Sequence, residues 1–221
     1  MVCCHHCQDA ENIFDQRDAR RRLARYQRHG PEGTTRVLIE ALREAGVSGA
    51  TMLDIGGGVG VVHHELLRLG AASATDVDAS SAYLAVAQQE SVRRGHAERV
   101  RYLHGDFVTL APRIEPSDIV VLDRVVCCYP AMPALVGAAA SRTKRLLGLV
   151  YPRDAWWVCL GIRAANLGLA LQRSAFRIYC HSSTAVEAEL RKAGFTRSMH
   201  RTRGLWQIEI YAAGQARETQ P

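Results

Sequence analysis

From about residue 51 onward, short continuous apolar runs alternate with segments of helical periodicity. Thr51–Ile55, Ala74–Val77, Val100–Leu103, Asp118–Leu122 and Leu146–Tyr151 read as buried strands, with helical segments Val61–Leu69, Ser81–Arg94 and Pro133–Lys144 between them. Strands that are apolar at successive positions, rather than at every second one, suit a parallel sheet covered on both faces. The last portion differs. A helix over Thr184–Ala193 stops at Gly194, and Phe195–His200 and Trp206–Ala212 are two strand-like runs joined near Gly204. A hairpin there sets one antiparallel strand into an otherwise parallel sheet. The pattern predicts a seven-stranded, doubly wound α/β fold.

Ahead of the sheet, Asn12–His29 reads as a helix with Ile13, Phe14, Leu23 and Tyr26 partly on one side. It also carries Arg17, Arg20, Arg21, Arg22, Arg25 and Arg28, and Gly30-Pro31 breaks it. A second helix from about Thr34 places Val37, Leu38, Ala41, Leu42 and Ala45 at helical spacing, with Gly46 as its stop. Residues 1–46 are thus expected to form a Cys/His segment and helical lid, and 47–221 the main domain. The longest apolar stretch, Ala155–Leu171, is interrupted by Arg163 and Asn166 and is too short and polar to span a membrane. Core packing is the first reading of this stretch; a cap on an apolar pocket or a peripheral membrane contact is the second.

Composition narrows the classes. The 221 residues, 48% hydrophobic and 23% charged, suffice for one soluble globular domain. The first ten residues are polar, so no secretory signal is expected, and seven cysteines without one point to reduced thiols in the cytoplasm. A net charge of +6 suits an anionic substrate, nucleic acid or an acidic membrane surface, without choosing among them.

The strongest chemical signal is Met52-Leu53-Asp54-Ile55-Gly56-Gly57-Gly58-Val59-Gly60, an apolar strand entering a glycine loop that opens a helix. Glycines let backbone approach a ligand closely, and the helix aims free N–H groups at the loop. A dinucleotide loop needs Gly-x-Gly-x-x-Gly/Ala, but the sixth position is Val61 counted from Gly56 and His63 counted from Gly58. Asp54-x-Gly56-x-Gly58-x-Gly60 instead resembles the S-adenosylmethionine (SAM) loop of class I methyltransferases. A merely structural turn is the bland alternative. Asp78 closes the second strand, where a carboxylate can accept from ribose hydroxyls or, with Ser80, cap the next helix. Asp76 is its rival but falls inside the strand. His104-Gly105-Asp106-Phe107 resembles the segment where that family's acid meets the adenine amino group, and Phe107 packs on the ring or in the core. The fourth strand ends at Asp123, a further candidate cofactor contact. The resemblance covers residues 51–152, and it implies a Rossmann-like fold, SAM as cofactor and a methyltransferase activity.

Three further stretches are similar to magnesium-protoporphyrin IX O-methyltransferases: Asp123-Arg124-Val125-Val126-Cys127-Cys128-Tyr129-Pro130, Val150-Tyr151-Pro152-Arg153, and Arg177-Ile178-Tyr179-Cys180-His181 followed by Ala193-Gly194-Phe195. The implied acceptor is a small-to-medium anionic molecule methylated on oxygen. A carboxylate acceptor needs no strong base; for other acceptors His181 is the candidate base, with Tyr129 and Asp123 as further catalytic candidates. Tyr26, Arg124, Arg153 and Tyr179 are candidate substrate contacts, each also explicable by packing or solvation. Cys3-Cys4-His5-His6-Cys7 is the oddest feature. Cys3, Cys4 and Cys7 suit a soft metal, but no second pair completes a closed site, and a frayed terminus explains them as well. The competing classes are a non-catalytic SAM- or soft-metal-binding regulator and a methyltransferase for a thiophilic or nucleic-acid substrate. Asp123-Arg124-Val125-Val126 lacks the Asn/Asp-Pro-Pro-Tyr/Phe segment of amino-base enzymes, which counts against nucleic acid.

Overall fold

The computed structural model describes residues 14–214. Two helices, α1 (Gln16–His29) and α2 (Gly33–Glu44), precede the alternation β1 (Thr51–Ile55), α3 (Val61–Arg68), β2 (Ser73–Asp78), α4 (Ser81–Arg93), β3 (Val100–His104), α5 (Phe107–Leu110), β4 (Ser117–Asp123), α6 (Met132–Ser141) and β5 (Thr143–Pro152). Then come α7 (Trp156–Leu171), α8 (Ser183–Lys192), β6 (Phe195–Arg203) and β7 (Trp206–Ala213). The sheet order is β3-β2-β1-β4-β5-β7-β6. β7 pairs antiparallel with both β5 and β6, whereas β1 to β5 pair parallel. This is the expected doubly wound, Rossmann-like sheet with its single reversed strand. Thr143 and Lys144, expected at the end of a helix, open β5 instead.

The period-2 geometry of a strand divides each buried run between two cores. Leu53, Ile55, Val120 and Leu122 face α6 and α8, where Leu135, Val136, Val186 and Leu190 cover them. Met52, Ile119 and Val121 face α2 and α3, through Leu38, Leu42, Val62 and Leu66. Because α2 contributes Leu38 and Leu42, both fully buried, it is a layer of the core rather than part of a lid. A Cβ on Gly148 in β5 would lie 2.9 Å from the Leu38 side chain, so glycine there sets how closely α2 approaches the sheet. The first helix packs through Ala19 on Tyr83, Val86 and Val59, across the outer side of α4.

Two expectations about the segment after β5 fail. Only Val158 of α7 is buried, so this apolar helix is not a core helix. Nor are all the cysteines thiols: Cys159 on α7 is bonded to Cys180, with Cα atoms 5.5 Å apart. The returning segment runs back along the inner side of α7, where Asn166 Nδ2 also donates to the Ile178 carbonyl at 2.7 Å. That contact brings the two sulfurs together.

Candidate active site

The C-terminal ends of β1, β2, β3 and β4 meet along one edge, where open α/β sheets receive ligands. On leaving β1, the chain turns through Gly56, Gly58 and Gly60 with φ of 63°, 60° and 82°. At Gly56, fixed by its N–H to the Val77 carbonyl (2.7 Å), a Cβ would lie 2.5 Å from Val125. At Gly60, which opens α3, a Cβ would meet the His63 ring at 2.5 Å. Side chains are excluded at both positions by conformation and by space. Asp78, at the end of β2, accepts from Gly58 N–H (2.9 Å) and Ser80 N–H (2.8 Å). It thus holds the loop and the turn into the next helix, which Ser80 caps through Tyr83 N–H. Bare backbone on one side and a half-buried carboxylate on the other fit an adenosyl group.

Beneath the loop lies a buried polar layer that the sequence reading largely missed. Asp54 faces inward, 1% exposed, and contacts His63 Nδ1 at 3.0 Å. It therefore supports the loop from below. Asp76, fully buried, lies under Gly57, whose Cβ would come within 2.5 Å of it. Burial first, then the charges of Asp54 and Asp78, hold the Asp76 carboxyl well above the usual range. His64 is pushed down to about 2 by burial and by the neighbouring His63, and is neutral. The only hint in the sequence was His63-His64-Glu65 at the start of a helix that otherwise packs Val62, Leu66 and Leu67.

The other expected cofactor residues divide. Asp106 caps the short α5 through Val108 and Thr109 and also accepts from the Tyr129 hydroxyl at 3.0 Å. Phe107 is 4% exposed and sits in the core against Leu135 and Leu122, so the core reading holds. Tyr83 was not expected. Its ring would lie 3.4 Å from a Cβ on Gly58, and its hydroxyl donates to Asp18 at 2.5 Å, tying α1 to the glycine loop.

On the acceptor side, Asp123 accepts from Thr35 of α2 and from Arg124 Nε at 3.2 Å. Arg124 also reaches the Thr35 hydroxyl at 3.0 Å, closing a three-residue cluster. That cluster occupies both expected acceptor-side groups. Arg124 itself has φ 64°, a left-handed conformation that costs an arginine energy, and it turns the chain sharply after β4. Behind it, Cys127 and Cys128 place their sulfurs 3.8 Å apart. The Cys127 carbonyl accepts from Tyr179 N–H at 2.7 Å. His181 stacks on Tyr179, ring centroids 5.7 Å apart, and its Nε2 lies 2.9 Å from the Tyr129 carbonyl. Burial lowers the His181 pKa, so the neutral ring donates from Nε2 to that carbonyl. It is thereby a tether between two loops. Arg153, one residue beyond β5, pairs with no carboxylate among the described residues.

Tyr26 does not join this edge. It is 4% exposed, donates to Glu65 at 2.7 Å, and has the Arg94 guanidinium 4.6 Å over its ring. Burial and Glu65 raise its pKa, as expected of a structural phenol, which corrects its assignment as a substrate contact. Cys3, Cys4 and Cys7 lie outside the described residues. Among the described residues no group of three or more His, Cys, Asp or Glu is placed to hold a metal ion.

Comparison with known proteins agrees with this geometry. A family model described as a methyltransferase domain matches residues 52–147. The ribosomal protein L11 methyltransferase of Deinococcus radiodurans is 34% identical over 76 residues, which is 34% of this chain and 28% of that protein. The match therefore spans well under half of that relative. Magnesium protoporphyrin IX methyltransferase from Synechocystis, solved with bound S-adenosylhomocysteine, superposes with a TM-score of 0.71 at 18% identity, covering 95% of this chain and 100% of that one. An O-methyltransferase family protein from Burkholderia thailandensis superposes with a TM-score of 0.66 at 18% identity, covering 82% of this chain and 57% of that one.

Proposed function

Since residues 52–147 match a methyltransferase domain, we propose that the chain transfers a methyl group from SAM to an oxygen of an anionic organic acceptor. SAM supplies a sulfonium-bound methyl for in-line displacement. The chain's part is to place the acceptor and exclude water. The glycine loop and Asp78 would hold the adenosyl portion; Tyr129 and Tyr179 would border the acceptor; Arg153 would pair with its anionic group. The observation that carries the acceptor class is the tethering of His181. With its Nε2 proton on the Tyr129 carbonyl and its pKa lowered by burial, it is a poor base, which favours an acceptor that is already an anion. A carboxylate, becoming a methyl ester, meets that requirement, as a porphyrin propionate would. The test is methyl transfer from labelled SAM to a panel of carboxylates, phenols and amines, read by product mass. Esters as the main products support the reading, and methylation of neutral amines alone contradicts it.

A second reading is a thiophilic acceptor, favoured by the Cys127–Cys128 pair on the same loop. The hydrogen bond from Cys127 and the nearby Arg22 and Arg124 charges lower the Cys128 thiol, although burial opposes them. Methylation of a thiophilic acceptor in place of the carboxylates, lost on alkylating Cys128 while cofactor binding is kept, would favour this second reading.

A further inference from the structure

We propose that α7 is an interfacial helix that seats this protein on an anionic lipid surface, with the acceptor side of the sheet toward the lipid. Trp156, Leu160, Leu167 and Leu171 are 78%, 56%, 63% and 78% exposed. At about 100° per residue they fall within a stripe roughly 60° wide, which Ala164 and the 46%-exposed Trp157 extend. The opposite side of the helix is fixed inward by Val158, the Cys159–Cys180 bond and the Asn166 hydrogen bonds to Ile178. The apolar stripe therefore cannot turn into the protein without breaking that attachment. No described helix is long and apolar enough to cross a membrane, so the stripe would lie in the plane of the surface.

Charge selects the kind of surface. The only charged residue within α7 is Arg163, on the flank of the stripe, where a long stem can follow apolar contact while its head reaches phosphate. Arg173 follows the helix, exposed. Phe14 packs edge-on against Phe176 with centroids 5.8 Å apart, bringing the start of α1 beside the end of α7. On α1, Arg17, Arg20 and Arg28 are exposed and pair with no carboxylate among the described residues. A tryptophan-bearing apolar stripe bordered by unpaired arginines matches the headgroup boundary of an anionic bilayer. A second copy fits poorly. Twofold antiparallel pairing of α7 would bring the two Arg163 side chains together at the helix midpoint, with no acidic residue on the helix to separate them.

The test is co-sedimentation of the full chain with vesicles of phosphatidylcholine alone or mixed with phosphatidylglycerol. Light scattering of the free protein and tryptophan emission accompany it. The expected result is salt-sensitive binding to the mixed vesicles with a blue shift in emission. A Leu160→Ser/Leu167→Ser double variant should bind about tenfold more weakly or worse. Both leucines are exposed, so thermal unfolding and S-adenosylhomocysteine affinity should not change. Equal binding to both vesicle types, equal binding by the variant, or a solution dimer that the variant dissolves would each overturn the proposal.

Discussion

The loop that would hold the cofactor meets the loop that carries the acceptor-side residues at Gly56 against Val125, and substituting that point tests how they are coupled. Alanine at Gly56 meets two separate costs. Its φ of 63° is a left-handed conformation, worth about 1–2 kcal/mol against a residue with a Cβ. The new methyl would also lie 2.5 Å from Val125, and relieving such an overlap in a packed site costs about 1–3 kcal/mol. Gly56→Ala should therefore lose about 2–5 kcal/mol of stability. Val125→Ala, at a half-buried side chain, should lose about 1 kcal/mol alone. In the double variant the overlap disappears while the conformational cost stays. The double-mutant cycle should then give a favourable coupling of about 1–3 kcal/mol. Urea denaturation of the four proteins measures it. Additivity within about 0.5 kcal/mol would refute the claim that the two loops are sterically locked.

Other expectations follow from single contacts. Asp78→Ala should weaken S-adenosylhomocysteine binding by about 1–3 kcal/mol, measured by calorimetry, and an unchanged affinity would remove Asp78 from the site. Thr35→Val should cost about 1–2 kcal/mol in chemical denaturation, because it takes the donor from Asp123; no change would mean that water replaces it freely. His181→Asn should leave the pH profile of turnover unchanged if His181 is a tether, since the amide can still donate to the Tyr129 carbonyl. A general base would instead lose about 10²–10⁴-fold and its acid limb. Asp76 has a raised folded-state pKa, so its contribution is full below an unfolded pKa of about 3.9 and is lost as pH rises through the folded value. Asp76→Asn lacks that loss, and its stability relative to the parent should increase as pH rises above about 4; parallel pH profiles would show that the fold does not raise the Asp76 pKa.

The sheet was legible because its strands are short, apolar at successive positions and separated by helical periodicity, and the reversed β7 followed from two runs around Gly204. The glycine loop was legible because its spacing excludes one ligand class. Side chains buried by tertiary packing were not legible. Tyr26 looked like a lid residue because a helix periodicity does not say which neighbour covers each face; Glu65 and Arg94 do. Phe107 and α2 were likewise drawn into the core by partners distant in sequence. The apolar run at α7 suggested burial, yet the sheet face it would have covered is already filled by α6 and α8, leaving it outside. Cys159 and Cys180 gave no sequence signal, because a pairing across 21 residues depends on how the segment after α7 returns.

What the glycine loop binds decides the chemistry of this edge. Calorimetric titration of the purified full chain with S-adenosylhomocysteine, and in parallel with NADH, asks that question without knowledge of the acceptor. Saturable binding of S-adenosylhomocysteine, weakened in Asp78→Ala and absent for NADH, is the expected result. NADH binding with no heat from S-adenosylhomocysteine would contradict it.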